Sequence, residues 1–370
     1  FFKKVSGVSP SGTFGPGSFI EFYGEAVDSL YTNTNVYRIH IDPTLARRIP
    51  EDTQPIPATA PATFYAETRK VENNRLYSFA APGRDPWYDT DMLTYTTSNT
   101  WTFPIEIDRL VPRGGSAKLA VRLWGVTDWP AAPDHHVRLA LNGQPVADKR
   151  FDGAADMTLQ VDLSGTRASL KEGKNILSIT LPGDTGVDYD LVSLDHYTIT
   201  YPRAFVARDG RLSFTAAAER FRVTNLPTAN VVVYQRTGTQ LKRLTQVVTK
   251  PEADGTYSVS FRGERSSRQY VVSIGAAMRL PEVTPLLPVQ DITTGAAQYV
   301  SSAHPKFING LAPLVNARQK QGYEVRVVDV AQIYAQFNHS VVSADAVRTY
   351  IAFAAKNMGT EYVLLVGGDT

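Results

Sequence analysis

Apolar and polar residues alternate with a period of two along most of the chain, and a helical period enters only near its end. In 118–124 the apolar positions Leu119, Val121 and Leu123 fall on one face of a predicted strand. Residues 136–141 repeat the pattern and run into Asn142-Gly143, a pair that accepts positive φ and so predicts a tight hairpin. Further strands are predicted over 157–163, 175–181 and 194–201. Strands at this spacing, with turn residues between them, predict a β-sandwich of jelly-roll type over 101–203. Residues 1–100 are rich in Thr, Tyr, Pro and Gly and predict an amino-terminal β-rich domain, with strands at 19–23 and 35–41 and no helix. The four prolines from Pro50 to Pro61 predict an extended loop there. A second all-β domain is predicted over 204–283, with strands at 220–223, 231–235, 257–261 and 270–274. Its end, with Pro281, Pro285 and Pro288, reads as a stiff linker.

From about residue 284 the pattern changes. A short strand near 298–300 is followed at His304-Pro305 by a helix with Phe307, Leu311, Leu314 and Val315 at helical spacing, ending at Gly322. Residues 323–330 predict a strand. Ser343 can cap a helix bearing Val347, Tyr350, Ile351, Ala354, Ala355 and Met358, which Gly359 closes. The nearly all-apolar strand 362–366 predicts burial on both faces. Strands alternating with helices predict the first part of a doubly wound α/β parallel sheet over 284–370. A further crossover is expected beyond Thr370. Both ends read as cut, since Phe1 opens the sequence without Met or a signal-like apolar run. The expectation is a fragment whose last strand exposes a hydrophobic edge.

Composition narrows the function classes. The 370 residues, 43% of them hydrophobic, are enough for several buried cores. Lys plus Arg number 38 against 36 Asp plus Glu, without a basic run, which argues against a nucleic-acid partner. No stretch is apolar for long enough to predict a transmembrane segment. With 0 cysteines the chain can form no disulfide, zinc thiolate or catalytic thiol, and such absence fits an exported bacterial protein. It also carries no serine nucleophile elbow, P-loop, dinucleotide fingerprint or HExxH sequence.

The candidate chemistry is sparse. Ligands of parallel sheets bind beyond the carboxyl ends of the strands, which makes Asp369, after Gly367-Gly368, a candidate substrate-binding carboxylate; a solvated turn explains it as well. Asp184, Asp188 and Asp190 share one Gly-containing loop and are candidate ligands for a structural Ca²⁺, though their spacing is not that of an EF-hand and Asx turns account for the same loop. No other cofactor is called for. His135 and His136 are adjacent, so in a strand they face opposite ways, and a satisfied or exposed pair is favoured over a shared metal site. His304, before Pro305, reads as the start of a helix. The aromatics Trp87, Tyr88, Trp124 and Trp129 could line a sugar or peptide groove, or pack between domains.

The stretch Gly322 to Phe337 resembles the gingipain-like cysteine peptidase family. So do His304-Pro305-Lys306-Phe307, residues 343–350 and the run from Tyr362 to Asp369. In that family a helix, a strand-and-turn, a helix and a "YVLLVGD" strand open the peptidase domain in this order; here one extra Gly precedes the Asp. Phe22-Tyr23-Gly24-Glu25, residues 31–37, Asp195-His196-Tyr197 and Tyr201-Pro202-Arg203 are similar to the amino-terminal region of bacterial relatives, which contains a galactose-binding-like sandwich. The resemblance implies a Cys–His endopeptidase of caspase-like α/β fold, secreted or at the cell surface, acting on protein or peptide substrates. It places the catalytic Cys, the His and the specificity pocket beyond Thr370, so this chain alone is expected to be inactive. Members commonly bind Ca²⁺. The alternative is a non-catalytic adhesin or carbohydrate-binding protein, with the sandwich taking a glycan or cell-surface ligand.

Overall fold

The computed structural model describes residues 3–6, 19–39, 49–81, 85–112, 114–166, 168–286 and 288–368. They form two compact units, one of Ile49–Arg279 and one that joins Lys3–Arg48 to Leu280–Thr370. In the discontinuous unit, strands β1 (Lys3–Ser6) and β2 (Phe19–Phe22) pair antiparallel. Residues 35–39, predicted as part of a strand, make no ladder, and 40–41 lie outside the described residues. Polar side chains hold that stretch instead: the Tyr37 hydroxyl accepts from Glu25 N at 2.6 Å and Asn35 Nδ2 at 3.0 Å. Arg38 Nη2 donates to Ala335 O at 2.6 Å and Ser340 Oγ at 2.8 Å.

The continuous unit contains strands β3 (Glu51–Asp52), β4 (Tyr65–Glu72), β5 (Leu76–Tyr77), β6 (Trp87–Tyr88), β7 (Thr90–Thr94) and β8 (Asn99–Ile107). Then come β9 (Lys118–Gly125), β10 (His135–Leu141), β11 (Gln144–Phe151), β12 (Asp156–Asp162), β13 (Gly173–Leu181) and β14 (Asp190–Arg203). Two antiparallel sheets, ordered β11-β10-β13-β8 and β12-β9-β14-β4, enclose one core. The alternation is the cause: Leu119, Val121 and Leu123 of β9 are fully buried with Val137, Leu139 and Leu141 of β10. Burying such side chains contributes about 1.5–3 kcal/mol each. The predicted division at residue 100 departs from the strand pairing. Both β4 and β7 pair with β14, because their apolar residues, Val71 and Met92 among them, complete the sandwich core.

A second sandwich is built from β15 (Arg211–Ala216), β16 (Arg220–Leu226), β17 (Val231–Thr237), β18 (Gln240–Leu244), β19 (Val247–Pro251), β20 (Tyr257–Arg262) and β21 (Arg268–Ile274). Its sheets, β15-β21-β17-β18-β3 and β16-β20-β19, close on an aromatic core of Phe205, Phe214, Phe221, Phe261 and Tyr270. Asp108 ties the two sandwiches together. Its carboxylate takes Arg69 Nη2 at 2.6 Å, the buried Arg203 Nη2 at 3.1 Å and also Arg208.

In the other unit β22 (Tyr299–Ala303), β23 (Val325–Asp329) and β24 (Tyr362–Val366) form a parallel sheet ordered β23-β22-β24. The single helix expected from residue 304 to 322 is broken into α1 (Pro305–Ile308), a 3₁₀ turn (Asn309–Leu311) and α2 (Ala312–Lys320). Pro313 lacks an N–H and fits only the first turn, so the helix restarts around it. The sequence reading also missed α3 (Val330–Phe337), which Asp329 caps. Helix α4 (Ala344–Asn357) is capped by Ser343, as predicted, and packs on α3 through Phe337 and Tyr350. The strand buried on both faces is β22, not β24: all five residues of the central strand are buried, despite Ser301 and Ser302. Among the described residues strand β24 pairs on one side only, and Leu365 is 60% exposed.

Candidate functional site

The carboxyl ends of the three parallel strands carry His304, Asp329 and Gly367. His304 N donates to Val366 O at 3.0 Å, and its Nδ1 accepts from Lys306 N at 3.3 Å. The ring therefore caps α1, the role its place before Pro305 predicted. Asp329 accepts from Ala331 N at 2.8 Å and caps α3. Asp369, the candidate substrate carboxylate, lies outside the described residues. This edge offers capped helices and permissive glycines, and the chain has no thiol to place there.

The candidate Ca²⁺ loop carries a different chemistry. Asp190 is buried, and its Oδ1 lies 2.6 Å from His135 Nδ1 while its Oδ2 accepts from His136 N at 3.1 Å. His135 Nε2 faces Thr127 O at 3.1 Å, and a carbonyl only accepts, so this nitrogen carries a proton. Asp134, fully buried nearby, accepts from Trp129 N at 2.9 Å and Gly153 N at 2.8 Å. Burial pulls the pKa of His135 down, but the hydrogen bond to Asp190 and the charges of Asp190 and Asp134 outweigh it, and the net shift is upward. His136 faces the other carboxylates, with Nδ1 2.6 Å from Asp184 and Nε2 2.8 Å from Asp148. These bonds hold Asp184 and Asp148 below the usual carboxylate range, with Arg138 assisting at Asp148.

Asp184 and Asp190 thus serve two different histidines, while Asp188 is exposed. The three do not converge as oxygen ligands, and this arrangement does not fit a shared Ca²⁺ site, which needs six to eight oxygens around one ion. The adjacent histidines are each satisfied by separate carboxylates, as their strand positions imply.

The aromatics divide into three groups. Tyr88 stacks on Trp124 at 5.3 Å, both buried. Trp87 meets Tyr77 edge-on at 5.3 Å. Trp129 meets Tyr189 edge-on at 5.1 Å and donates its Nε1–H to the Tyr189 carbonyl, with Tyr95 6.3 Å further along. Tyr95 and Tyr189 are exposed.

One cluster escaped the residue-by-residue reading: Glu72, Asp195 and His196, on adjacent strands of the first sandwich. Strict alternation would send Asp195 and His196 to opposite faces. A shift of register between Leu194 and His196 brings them together, and nothing in the residue pattern announces it.

Residues 292–370, which hold the parallel sheet, match the model of peptidase family C25. The resemblance to gingipain-like peptidases is therefore shown over that segment. Among solved structures, dimeric latent PorU from Porphyromonas gingivalis is similar, with a TM-score of 0.58 and 16% identity over 83% of this chain and 30% of that one. At that identity the likeness is one of fold, and the chain spans less than a third of that protein. The CBM36-1 domain of a multidomain xylanase, from the hindgut metagenome of Trinervitermes trinervoides, aligns with 36% of this chain and 96% of that one at 11% identity. Its TM-score of 0.25 carries no weight. No curated protein matches the chain in sequence.

Proposed function

We propose that this chain is the amino-terminal part of a secreted or cell-surface bacterial cysteine endopeptidase of the gingipain-like kind. In this reading the first sandwich is a jelly roll of galactose-binding-like form, and the parallel sheet opens a caspase-like peptidase domain. The observation that carries it is the match of residues 292–370 to peptidase family C25, in a segment where parallel strands alternate with helices. Such an enzyme uses a thiolate to attack the scissile carbonyl, a histidine as acid and base, and backbone N–H groups to hold the oxyanion. With 0 cysteines, the chain must receive the thiolate from residues outside this sequence, and its own contribution is scaffold and strand order.

The test compares this chain with the whole product of its gene on casein and on fluorogenic peptides. The chain alone should hydrolyse neither. The whole product should cleave both and lose that activity to a thiol-alkylating reagent. Hydrolysis by the chain alone, or an inert whole product, would overturn the proposal.

A second reading rests on the exposed Tyr95 and Tyr189 with the half-buried Trp129 beside them, whose rings could stack on a sugar. Binding on a glycan array that disappears in Tyr95→Ala would favour an adhesin or carbohydrate-binding role. A flat array would remove it.

A further inference from the structure

We infer that Glu72, Asp195 and His196 form a binding site for a divalent transition-metal cation of the Zn²⁺ class on the first sandwich. Strand β14 pairs Leu194 with Leu123 and His196 with Arg122, so Asp195 is the extra residue of a β-bulge. The bulge turns two consecutive side chains to the same side, and His196 Nδ1 lies 2.7 Å from Asp195 Oδ1. On the other flank His196 pairs with Glu72 of β4, whose Oε1 stands 3.9 Å from the same Nδ1. One nitrogen and two carboxylate oxygens thus lie within 4.8 Å of one another, from three residues on two neighbouring strands.

The remaining oxygens are already occupied. Asp195 Oδ2 takes Arg122 Nε at 3.2 Å, and Glu72 Oε2 takes Lys70 Nζ at 2.6 Å. Those two cations hold the outer edge of each carboxylate and leave Oδ1 and Oε1 turned toward the imidazole, as outer partners orient metal ligands elsewhere. Arg122 also pairs with Asp156 at 3.2 Å, so three carboxylates face two cations and the neighbourhood keeps a net negative charge. Asp195 is 6% exposed, which limits competition from water, while His196 and Glu72 remain reachable.

The donor set selects the class of ion. One imidazole nitrogen and two carboxylates suit Zn²⁺ and its neighbours, with a fourth position left for water, and supply too few oxygens for Ca²⁺. All three ligands sit on paired strands, so little order remains to be imposed on binding.

The experiment titrates the full chain, stripped with chelator, with Zn²⁺ by calorimetry and with Co²⁺ by visible absorption. We expect one saturable site per chain and the d–d bands of low-coordinate Co²⁺. Glu72→Gln and His196→Gln should each weaken Zn²⁺ binding about tenfold or more. His304→Gln, at the other end of the chain, should leave it unchanged. Glu72→Gln keeps the size of the side chain while removing its charge, and near-ultraviolet circular dichroism reports whether either variant is still folded. The proposal is overturned if the folded wild-type chain shows no saturable Zn²⁺ binding. It is equally overturned if folded Glu72→Gln and His196→Gln both bind as the wild type does.

Discussion

Gly125 ends its strand against a histidine ring. A Cβ placed there would lie 2.5 Å from His135 Nε2 and 2.6 Å from the Gly153 carbonyl, closer than real contacts allow. Neither neighbour can retreat, because His135 is held at both ring nitrogens and Gly153 N is bonded to buried Asp134. Gly125→Ala should therefore destabilise the continuous unit by about 1–3 kcal/mol, the usual result of overpacking. A urea midpoint equal to that of the wild type would show the site to be softer than its hydrogen bonds suggest. The same ring sets a pH dependence. Its folded pKa is raised above the unfolded value of about 6.5. The stabilisation is then complete below that value and is lost as pH rises through the folded pKa. Wild-type stability should fall over that window by up to about 1.4 kcal/mol per pH unit for one proton. Asp190→Asn removes the larger of the two charges that raise the pKa, leaving Asp134, so its unfolding free energy, measured by urea at each pH, should vary less across the same window.

At the scale of elements, the hairpin between β10 and β11 was readable from two letters. Asn142 and Gly143 adopt φ of 49° and 78°, the left-handed pair that such a turn requires. The Asn side chain adds what the dipeptide signal does not contain. Its Nδ2 donates to Ser169 O and Asn175 Oδ1, and its Oδ1 accepts from Ile176 N. Asn142→Gly keeps the backbone and loses these bonds, whereas Asn142→Ala loses both. Thermal unfolding should rank wild type above Gly above Ala, with the last step about 1 kcal/mol for a left-handed residue bearing a Cβ. Equal stability for the two variants would deny the turn its strain. Alternation was legible wherever one face of a strand is buried, as in Leu119, Val121 and Leu123. It failed where tertiary context decides. The apolar run of β24 reads as doubly buried but sits at a sheet edge, and Asp195 reads as the opposite face to His196 until the bulge intervenes. Residues 65–94 looked like part of a separate domain because β4 and β7 are polar on one side, and their partner β14 lies far along the chain, Glu72 pairing with His196 and Thr94 with Asp190.

At the scale of the whole molecule, the exposed edge β24 decides how the chain behaves in solution. Among the described residues its backbone pairs with β22 and with no second strand. Val363 and Leu365, two apart and therefore on the same face, are both exposed, and Tyr362 beside them is 47% exposed. A five-residue apolar strand with one open ladder is a template for pairing with another chain, and no Lys, Pro or bulge within it blunts that tendency. The chain should therefore self-associate. Multi-angle light scattering should give a mass that climbs above 40.7 kDa as concentration rises. Val363→Lys combined with Leu365→Lys places two charges on the open face, at side chains already 39% and 60% exposed, and should return the mass to that of a monomer while the chain remains folded by circular dichroism. If the double variant associates as strongly as the wild type, the contact lies elsewhere. If the wild type remains a monomer at every concentration, the edge is protected by something other than charge, and its exposed residues do not drive association.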